Sequence, residues 1–532
     1  MSDTEQTKAL PGPNLLDRAL SPFAPGYVAK RVKARQTLAL SGGFEGGSYK
    51  RSLRNWFAPV RSANAALEPD RRELINRSRD LARNNAVAAG AINRVVTHSV
   101  GVGLRPRPSI DREALGLSDE DADAWERAAL REFNLAADTP EFDATRTLSF
   151  YAMQPLVMRS ALEGGDLFSL RLLFERPGSP YRTKFQLIEA ERVSNPNNQM
   201  DREKITGGVE VDQRGAPIAY HVAERHPGEG MAAVRTQWKR VPIFGPESGQ
   251  RRIFHHYVQL RPEQRRGVPY LAPVIDALKQ LSRYSEAEIM AAVINSCFAI
   301  TMKSNEEDGS AGLESGGEDQ HGEPISITEA GTIVNLGTDE EVQGFQPGRP
   351  GTQFEPFYHA VLKEIGMALE IPFEMLLANF QSSFSASKAA LELAWQMFMT
   401  RREWLARSFC QPAYEAVLVE AIAEGRLSAP GFFTDPAVRR AYCGCEWIGP
   451  AKPVFDDVKD AKGAAQRIGI GISSIEREAA MRGGNWEALH KQRAQEVRRR
   501  REDGVETAPP SPDGGSPPAQ GRDEGEDERD DQ

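Results

Sequence analysis

Apolar residues along this chain recur at two different periods, and the switches between them divide it into segments. Over residues 68–97, Leu74, Ile75, Leu81, Val87, Ile92, Val95 and Val96 fall near helical spacing. Arg71, Arg72, Arg77, Arg79 and Arg83 cover the other face, which predicts a helix pair or one long helix. Gly101 and Gly103 end it. A further helix is expected from about Ser118 to Phe133, opening on Ser118 with Asp121 three residues on. That start resembles a capping box with Asp in place of the usual Glu or Gln. From about 165 to 260 the pattern becomes that of strands. Leu167–Leu173 and Phe185–Ile188 are short apolar runs, and Val209–Asp212 alternates strictly. Gln213–Ala216 reads as a turn, with Ile218–Val222 as the hairpin partner. The fold class is therefore α+β.

Helical spacing returns after Pro269 and Pro273, which open a helix running to about Ser296 and about 40 Å long at 1.5 Å per residue. Residues 304–348 break the pattern: they hold eleven acids and no lysine or arginine. Glycines make their first part loop-like, and Ile325–Ile327 and Thr332–Val334 read as short strands. Phe354, Phe357, Val361, Leu362, Ile365 and Leu369 then mark a helix that Pro372 stops. A polar stretch with two aromatics follows, Asn379–Ser385, and Ser385 is placed to cap a helix from about Ala386 to Phe409. Pro412 separates it from another, Ala413 to Gly425. The last helices lie between about 454 and 503 and close on Arg498–Arg501. After Glu506 the residues are mainly Pro, Gly, Asp and Glu, which is disordered by composition. At the other end, residues 1–63 read as an extended arm. Pro11, Pro13, Pro22 and Pro25 punctuate it, two basic clusters follow (Lys30, Arg31, Lys33, Arg35; Lys50, Arg51, Arg54), and Trp56-Phe57 is its apolar anchor. A flexible tail with a solvated basic face and an arm docking on a partner both fit.

Composition narrows the function more than the fold. The 532 residues suit about three domains, and a 40% hydrophobic share supports a real core. The formal charge is −9, from 66 basic and 75 acidic residues. Tight DNA binders are normally basic, because neutralising phosphates supplies most of their affinity. Any contact with DNA is thus expected to be limited in area. Cys297, Cys410, Cys443 and Cys445 are too few and scattered for a disulfide scaffold. Cys443-x-Cys445 has one intervening residue, no second pair and no nearby His, so it reads as buried thiols in a reducing compartment. The N-terminus lacks a signal-peptide pattern, and Ala287–Met302 is too short to span a bilayer, so the expectation is a soluble, intracellular protein with no membrane partner.

The motifs of catalysis are missing. Gly42–Lys50 is glycine-rich, but Lys50 sits between Tyr49 and Arg51, and no P-loop results. There is no His-Glu-x-x-His and no Gly-x-Ser-x-Gly. His255 and His256, adjacent in a strand-like run, face opposite sides and make poor joint metal ligands. No catalytic, cofactor-binding or metal-binding residue is assigned, and the chain reads as a structural subunit rather than an enzyme.

Runs spread through the chain carry a family resemblance. They are Tyr49–Trp56, Ser78–Asn85, Gly90–Ile92, Val100–Leu104, Gly164-Gly165-Asp166, Leu187–Val193, Gln264–Pro273, Glu370–Leu376 and Phe384–Ala390. In this order they resemble the lambda-type portal proteins of tailed bacteriophages, the head-to-tail connectors, over about residues 45–500. The resemblance implies a portal-type α+β fold in which residues 1–63 form the N-terminal arm and 64–269 an α+β wing. Residues 270–296 would be a stem helix, 297–351 a small β-containing clip insertion and 352–378 the returning stem or tunnel helix. Residues 379–385 would be the tunnel loop, 386–503 a helical wing and crown region, and 504–532 a disordered acidic tail. It implies a ring of twelve subunits at one capsid vertex of the virion, assembled in the host cytoplasm. That ring would thread double-stranded DNA during packaging and ejection, and meet terminase, the major capsid protein and head-completion or tail proteins. Asn379, Phe380, Gln381, Ser382, Ser383 and Phe384 would approach the DNA, and their uncharged polar members suit weak contact. Glu306, Glu307, Asp308, Glu318 and Asp319 would give the clip an acidic surface that repels DNA or attracts a basic partner, although a solvated loop fits them too. Two alternatives stay open: a DNA-processing hydrolase of the packaging machinery, which needs turnover, and a shell-forming capsid protein, which forms closed shells instead of rings.

Overall fold

The computed structural model describes residues 13–40, 58–229, 236–296, 300–303, 341–344, 354–379, 383–454 and 456–505. They fall into two units, Met1–Ser62 and Ala63–Gln532.

The first unit corrects the reading of an extended arm. Its described residues form two helices, Leu15–Leu20 and Pro25–Leu40. Asn14 opens the first through a reciprocal cap: its side chain accepts the Asp17 N–H at 2.9 Å, and the Asp17 carboxylate accepts the Asn14 N–H at 3.1 Å. Pro25 occupies the first helical position, where its missing N–H is no loss. Lys30, Arg31, Lys33 and Arg35 thus lie on a helix. The second basic cluster, the glycines between the clusters and Trp56-Phe57 lie outside the described residues.

In the second unit the helical pattern of residues 68–97 resolves into two helices, Ala63–Asn84 and Ala86–Ser99. The break is chemical: the Asn85 side chain accepts the Ala88 N–H at 2.9 Å and restarts the helix. Ser118 likewise caps Asp119–Ala137. With Phe150–Gly164 these helices build the larger core. Phe150 lies at its centre, 5.2 Å from Phe133, 5.3 Å from Phe142 and 5.7 Å from Phe409, ring to ring. Burying one such side chain contributes about 2–3 kcal/mol.

The strands read at 167–173, 185–188, 209–212 and 218–222 all form, and Ile205–Thr206 and Trp238–Pro242 add to them without having been read from the sequence. Asp166–Leu173 is the middle of a three-stranded antiparallel sheet between Thr183–Glu189 and Ile253–Tyr257. Ile205–Thr206, Val209–Val211, Pro217–Ala223 and Trp238–Pro242 form a four-stranded antiparallel meander that includes the expected hairpin. Alternation divides the middle strand between two cores. Leu167 faces the helices, whereas Phe168 joins Ile188, Val209, Tyr220 and Val222 in a smaller cluster between the sheets.

Four expectations are corrected downstream. The long helix begins at Ile275, not at Pro269, and its 22 residues span about 33 Å. Pro273 instead sits in a 3-10 turn, Ala272–Val274. The helix Phe354–Ala368 closes before Pro372: Glu370 takes a left-handed φ of 56°, and the Ile371 N–H reaches the Gly366 carbonyl at 2.9 Å. Pro372 starts the next short helix, Phe373–Leu377. Pro412 does not separate two helices. Phe384–Leu405 passes through a π turn, Ala406–Cys410, into Gln411–Ala423. There the Gln411 N–H bonds to the carbonyl of Ala406, five residues back, and the wider turn accommodates a proline that an α-helix interior would not. Finally, the region read as wholly helical after residue 386 contributes a strand, Cys445–Ile448, which pairs antiparallel with Arg105–Pro108. Of the insertion, the described residues are its base, Ile300–Lys303 paired with Glu341–Gly344; Ile325–Ile327 and Thr332–Val334 lie outside them.

Candidate functional site

Three of the sequence runs quoted above meet at one buried arginine. Arg266 is fully buried and uses its guanidinium as a five-way donor. Nε and Nη2 donate to the two Asp166 carboxylate oxygens at 2.6 and 2.9 Å. Nη1 donates to the Val193 and Gly207 carbonyls at 2.7 and 2.6 Å, and Nη2 also to Ala190 at 2.8 Å. The same Asp166 accepts the Gly267 N–H at 3.1 Å and lies 3.1 Å from His255 Nε2. Burial by itself would raise the Asp166 carboxyl. The charge and hydrogen bonds of Arg266, with those of His255, overcome that and hold it well below the usual carboxylate range. Glycine permits the approach: a Cβ on Gly267 would lie 1.9 Å from the Gly165 carbonyl oxygen, and Gly165 itself has φ +83°. Gly164-Gly165-Asp166, Leu187–Val193 and Gln264–Gly267 are therefore one structural knot tying the two sheets together.

Arg402 makes a second tie. It donates from Nε to the Ser99 carbonyl at 3.1 Å and from Nη2 to the Pro450 carbonyl at 2.8 Å, closing the end of the helix Ala86–Ser99. Burial lowers its pKa to about 10. Glu420 makes a third, accepting the Arg182 and Thr183 N–H groups at 2.5 and 2.8 Å and so joining the helix Gln411–Ala423 to the three-stranded sheet.

The segment expected to contact DNA is flanked by two helix ends. Met375 and Leu376 bury the short helix Phe373–Leu377, which closes through a left-handed Ala378 and an Asn379 N–H bonded to the Glu374 carbonyl at 3.0 Å. On the far side the cap is Ser383, not Ser385 as the sequence suggests: its Oγ accepts the Ala386 N–H at 3.4 Å. Phe384 is thus the first residue of the helix and the connection is two residues shorter than expected. Asn379 and Ser383 are exposed; Phe380, Gln381 and Ser382 lie outside the described residues, as do Glu306, Glu307, Asp308, Glu318 and Asp319.

The histidine and cysteine readings can be set against geometry. His255 lies against Asp166, whereas His256 faces the other way, 2.8 Å from Ser169 Oγ. Burial, with the neighbouring His255 and Arg251, drops His256 to about 3. Burial pushes the Cys443 thiol up to about 12 and raises Cys445 as well. Among the described residues no group of His, Cys, Asp and Glu is arranged to hold a metal ion, and no helix is long and apolar enough to cross a membrane.

Comparison with known proteins supplies the decisive observation. Residues 49–402, about two thirds of the chain, match the family described as phage portal protein, lambda family. The chain belongs to that family. It is 28% identical over 491 residues to portal protein B of Escherichia phage lambda, covering 87% of this chain and 91% of the relative. Over 500 residues it is 28% identical to the portal protein of Escherichia phage N15, covering 89% and 93%. The probable portal protein of Halomonas phage phiHAP-1 is 23% identical over 476 residues, covering 88% of each. Each is named for a portal. Among solved structures, chains from the neck of an empty GTA particle with C6 symmetry and of a native GTA particle with C12 symmetry align with TM-scores of 0.44 and 0.39. Their identities are 14% and 13%, covering 76% and 70% of this chain and 93% of each of theirs. The matched span includes the Arg266 knot and the 379–383 connection; it ends at Arg402, before the C-terminal helices.

Proposed function

We propose that this portal chain acts without catalysis, as one subunit of a twelve-membered ring at a capsid vertex. The ring is the channel through which double-stranded DNA is packed and ejected, and the surface on which terminase and the head-completion proteins dock. The family match over residues 49–402 carries the reading. The helices support it: the second half of Ile275–Ser296 leaves Ile289 and Met290 64% and 60% exposed, and Phe357 on the returning helix 52%. Large apolar residues left exposed on these two helices suit burial against neighbouring subunits. In this reading the wing, stem, clip and crown take the boundaries given above, and residues 379–383 line the narrow part of the channel.

Negative-stain microscopy and mass photometry of the purified chain test the ring. Particles with a central hole and a mass of about 700 kDa are expected for twelve copies of a 58.7 kDa chain. Monomers and dimers at every salt and protein concentration would overturn it. The lining is tested separately. Gln381→Lys with Ser382→Lys adds phosphate contacts to the connection, so it should slow DNA packaging with rings intact; normal packaging would remove residues 379–383 from the channel.

A further inference from the structure

The chain's net charge of −9 hides a segregation. Residues 304–348 carry eleven acids and no base, and residues 506–532 carry nine acids and two arginines, a combined −18. The remaining residues therefore carry +9. Arg266 and Arg402 spend their charge inside the chain, whereas a cluster near the C-terminal end of the described residues does not. Arg498, Arg499, Arg500 and Arg501 lie near the end of the helix Trp486–Glu502, the last three of them in its final turn. All four are exposed. At about 100° per residue they point to every side of the helix, a collar of guanidinium groups within about 6 Å of axis.

Four local explanations fall short. The collar does not hold the helix in place, because no residue of Trp486–Glu502 is buried. Nor is it needed to cap the helix: the Asp503 and Val505 N–H groups already bond to the Arg499 and Arg500 carbonyls at 2.8 and 2.9 Å, and the Gly504 N–H reaches Arg501 at 3.4 Å. It is not a salt-bridge network either. Glu496, Glu502 and Asp503 lie within a turn or two, yet among the described residues none of the four arginines makes an ion pair. Favourable interaction with the helix dipole accounts for only about 0.3–1 kcal/mol per cation near a helix end and does not call for four. The helix buries none of its residues, and its arginine-rich end has no side-chain partner among the described residues, so the charge there is free to meet something else.

We propose that this collar is a contact site for double-stranded DNA, binding phosphates without reading sequence. Four cations stacked on about 6 Å of helix match a polyanion with one charge per 1.7 Å of axis. Arginines disposed all round can take phosphates from any side, so no single approach is favoured. In a ring each subunit repeats the collar, and weak contacts add through avidity. The chain's own acidic tail is the competing occupant: Glu506 and Asp513 are its only acids before Arg522, and its dense charge begins at Asp523. The inference rests on the portal reading in one respect, that DNA is the polyanion present.

The test uses the full chain and a labelled duplex of arbitrary sequence, with affinity measured against salt. Replacing the four arginines (Arg498→Gln, Arg499→Gln, Arg500→Gln, Arg501→Gln) should weaken binding at least tenfold at low salt. It should also make the slope of log K on log salt shallower by about one to three, as expected when one to three phosphate contacts are lost. Unchanged affinity and slope overturn the proposal. A second chain ending at Val505 separates the two occupants. If the quadruple substitution matters only when residues 506–532 are absent, the collar serves the tail, and the proposal fails for the intact protein. Ring assembly, scored by microscopy on the same samples, reports on the portal reading independently: intact rings with unchanged DNA affinity sink the collar alone.

Discussion

Arg266 and the Arg498–Arg501 run are chemically alike and are used in opposite ways. The first is wholly buried, with every N–H given to a carboxylate or a carbonyl. The second is wholly exposed, with no partner among the described residues. A buried guanidinium left unsatisfied would cost several kcal/mol, so its surroundings must be shaped around it. A solvated one costs nothing to leave unpaired, and keeps its charge for whatever approaches. An arginine's surroundings, more than its presence in a motif, therefore separate a structural role from a binding one.

The largest effect should come from breaking the buried side. Arg266→Met keeps much of the volume but leaves Asp166 a buried carboxylate with only the Gly267 N–H and His255 beside it, and frees the Ala190, Val193 and Gly207 carbonyls. Removing one partner of a buried pair costs about 3–5 kcal/mol. We expect a large fall in the thermal unfolding midpoint and in soluble yield, followed by circular dichroism. Arg266→Lys should rescue little, because an ammonium has three donors and cannot copy the planar fork. A variant that unfolds like the parent would show that the knot is not what holds the two sheets together.

Much of this was legible in the sequence, but unevenly. Period and caps located most helices and the hairpin within the meander, because Ser118 and Gly425 act on their own neighbours. The knot was not legible as a knot. Asp166 and Arg266 are a hundred residues apart, and nothing local announces that they pair. The available hint was glycine, at Gly165 and Gly267, since paired glycines in separate runs can mark a close backbone approach. The strand Cys445–Ile448 went unread because its partner, Arg105–Pro108, contains two prolines and has no strand pattern of its own. Pro412 misled for the opposite reason: its local meaning is a break, and a π turn overrides it. Of the candidate channel residues, the sequence placed the segment correctly between helices but set the cap two residues late, choosing Ser385 where Ser383 sits beside the turn.

An intermediate effect should appear with pH on the buried side alone. His256 is neutral in the folded chain down to about 3, whereas an unfolded histidine takes up a proton near 6.5. Between those values the unfolded state binds more protons, so stability falls as pH drops through that window. From pH 6.5 to 5 the loss should be about 1–2 kcal/mol for this one group. His256→Gln, which retains a polar partner for Ser169, should flatten that part of the profile without abolishing the fold. Asp166 acts at lower pH: its depressed carboxyl contributes stability above about 3.9 that is lost as pH falls below it. An equally steep fall between pH 6.5 and 5 in the His256 variant would assign that slope to another group.

The smallest effect should be on the exposed side, and its smallness is the informative part. The fourfold Arg→Gln change at 498–501 touches no buried atom and no cap, so the unfolding midpoint should move by no more than about 0.5 kcal/mol equivalent. Glutamine keeps the helix propensity close to that of arginine, which leaves charge as the only thing removed. If DNA affinity then falls while unfolding does not change, the two arginine environments have been separated by experiment: one carries stability without binding, the other binding without stability. A matching loss of stability would instead mean that the collar packs against part of the chain, and the contrast between the two regions would collapse.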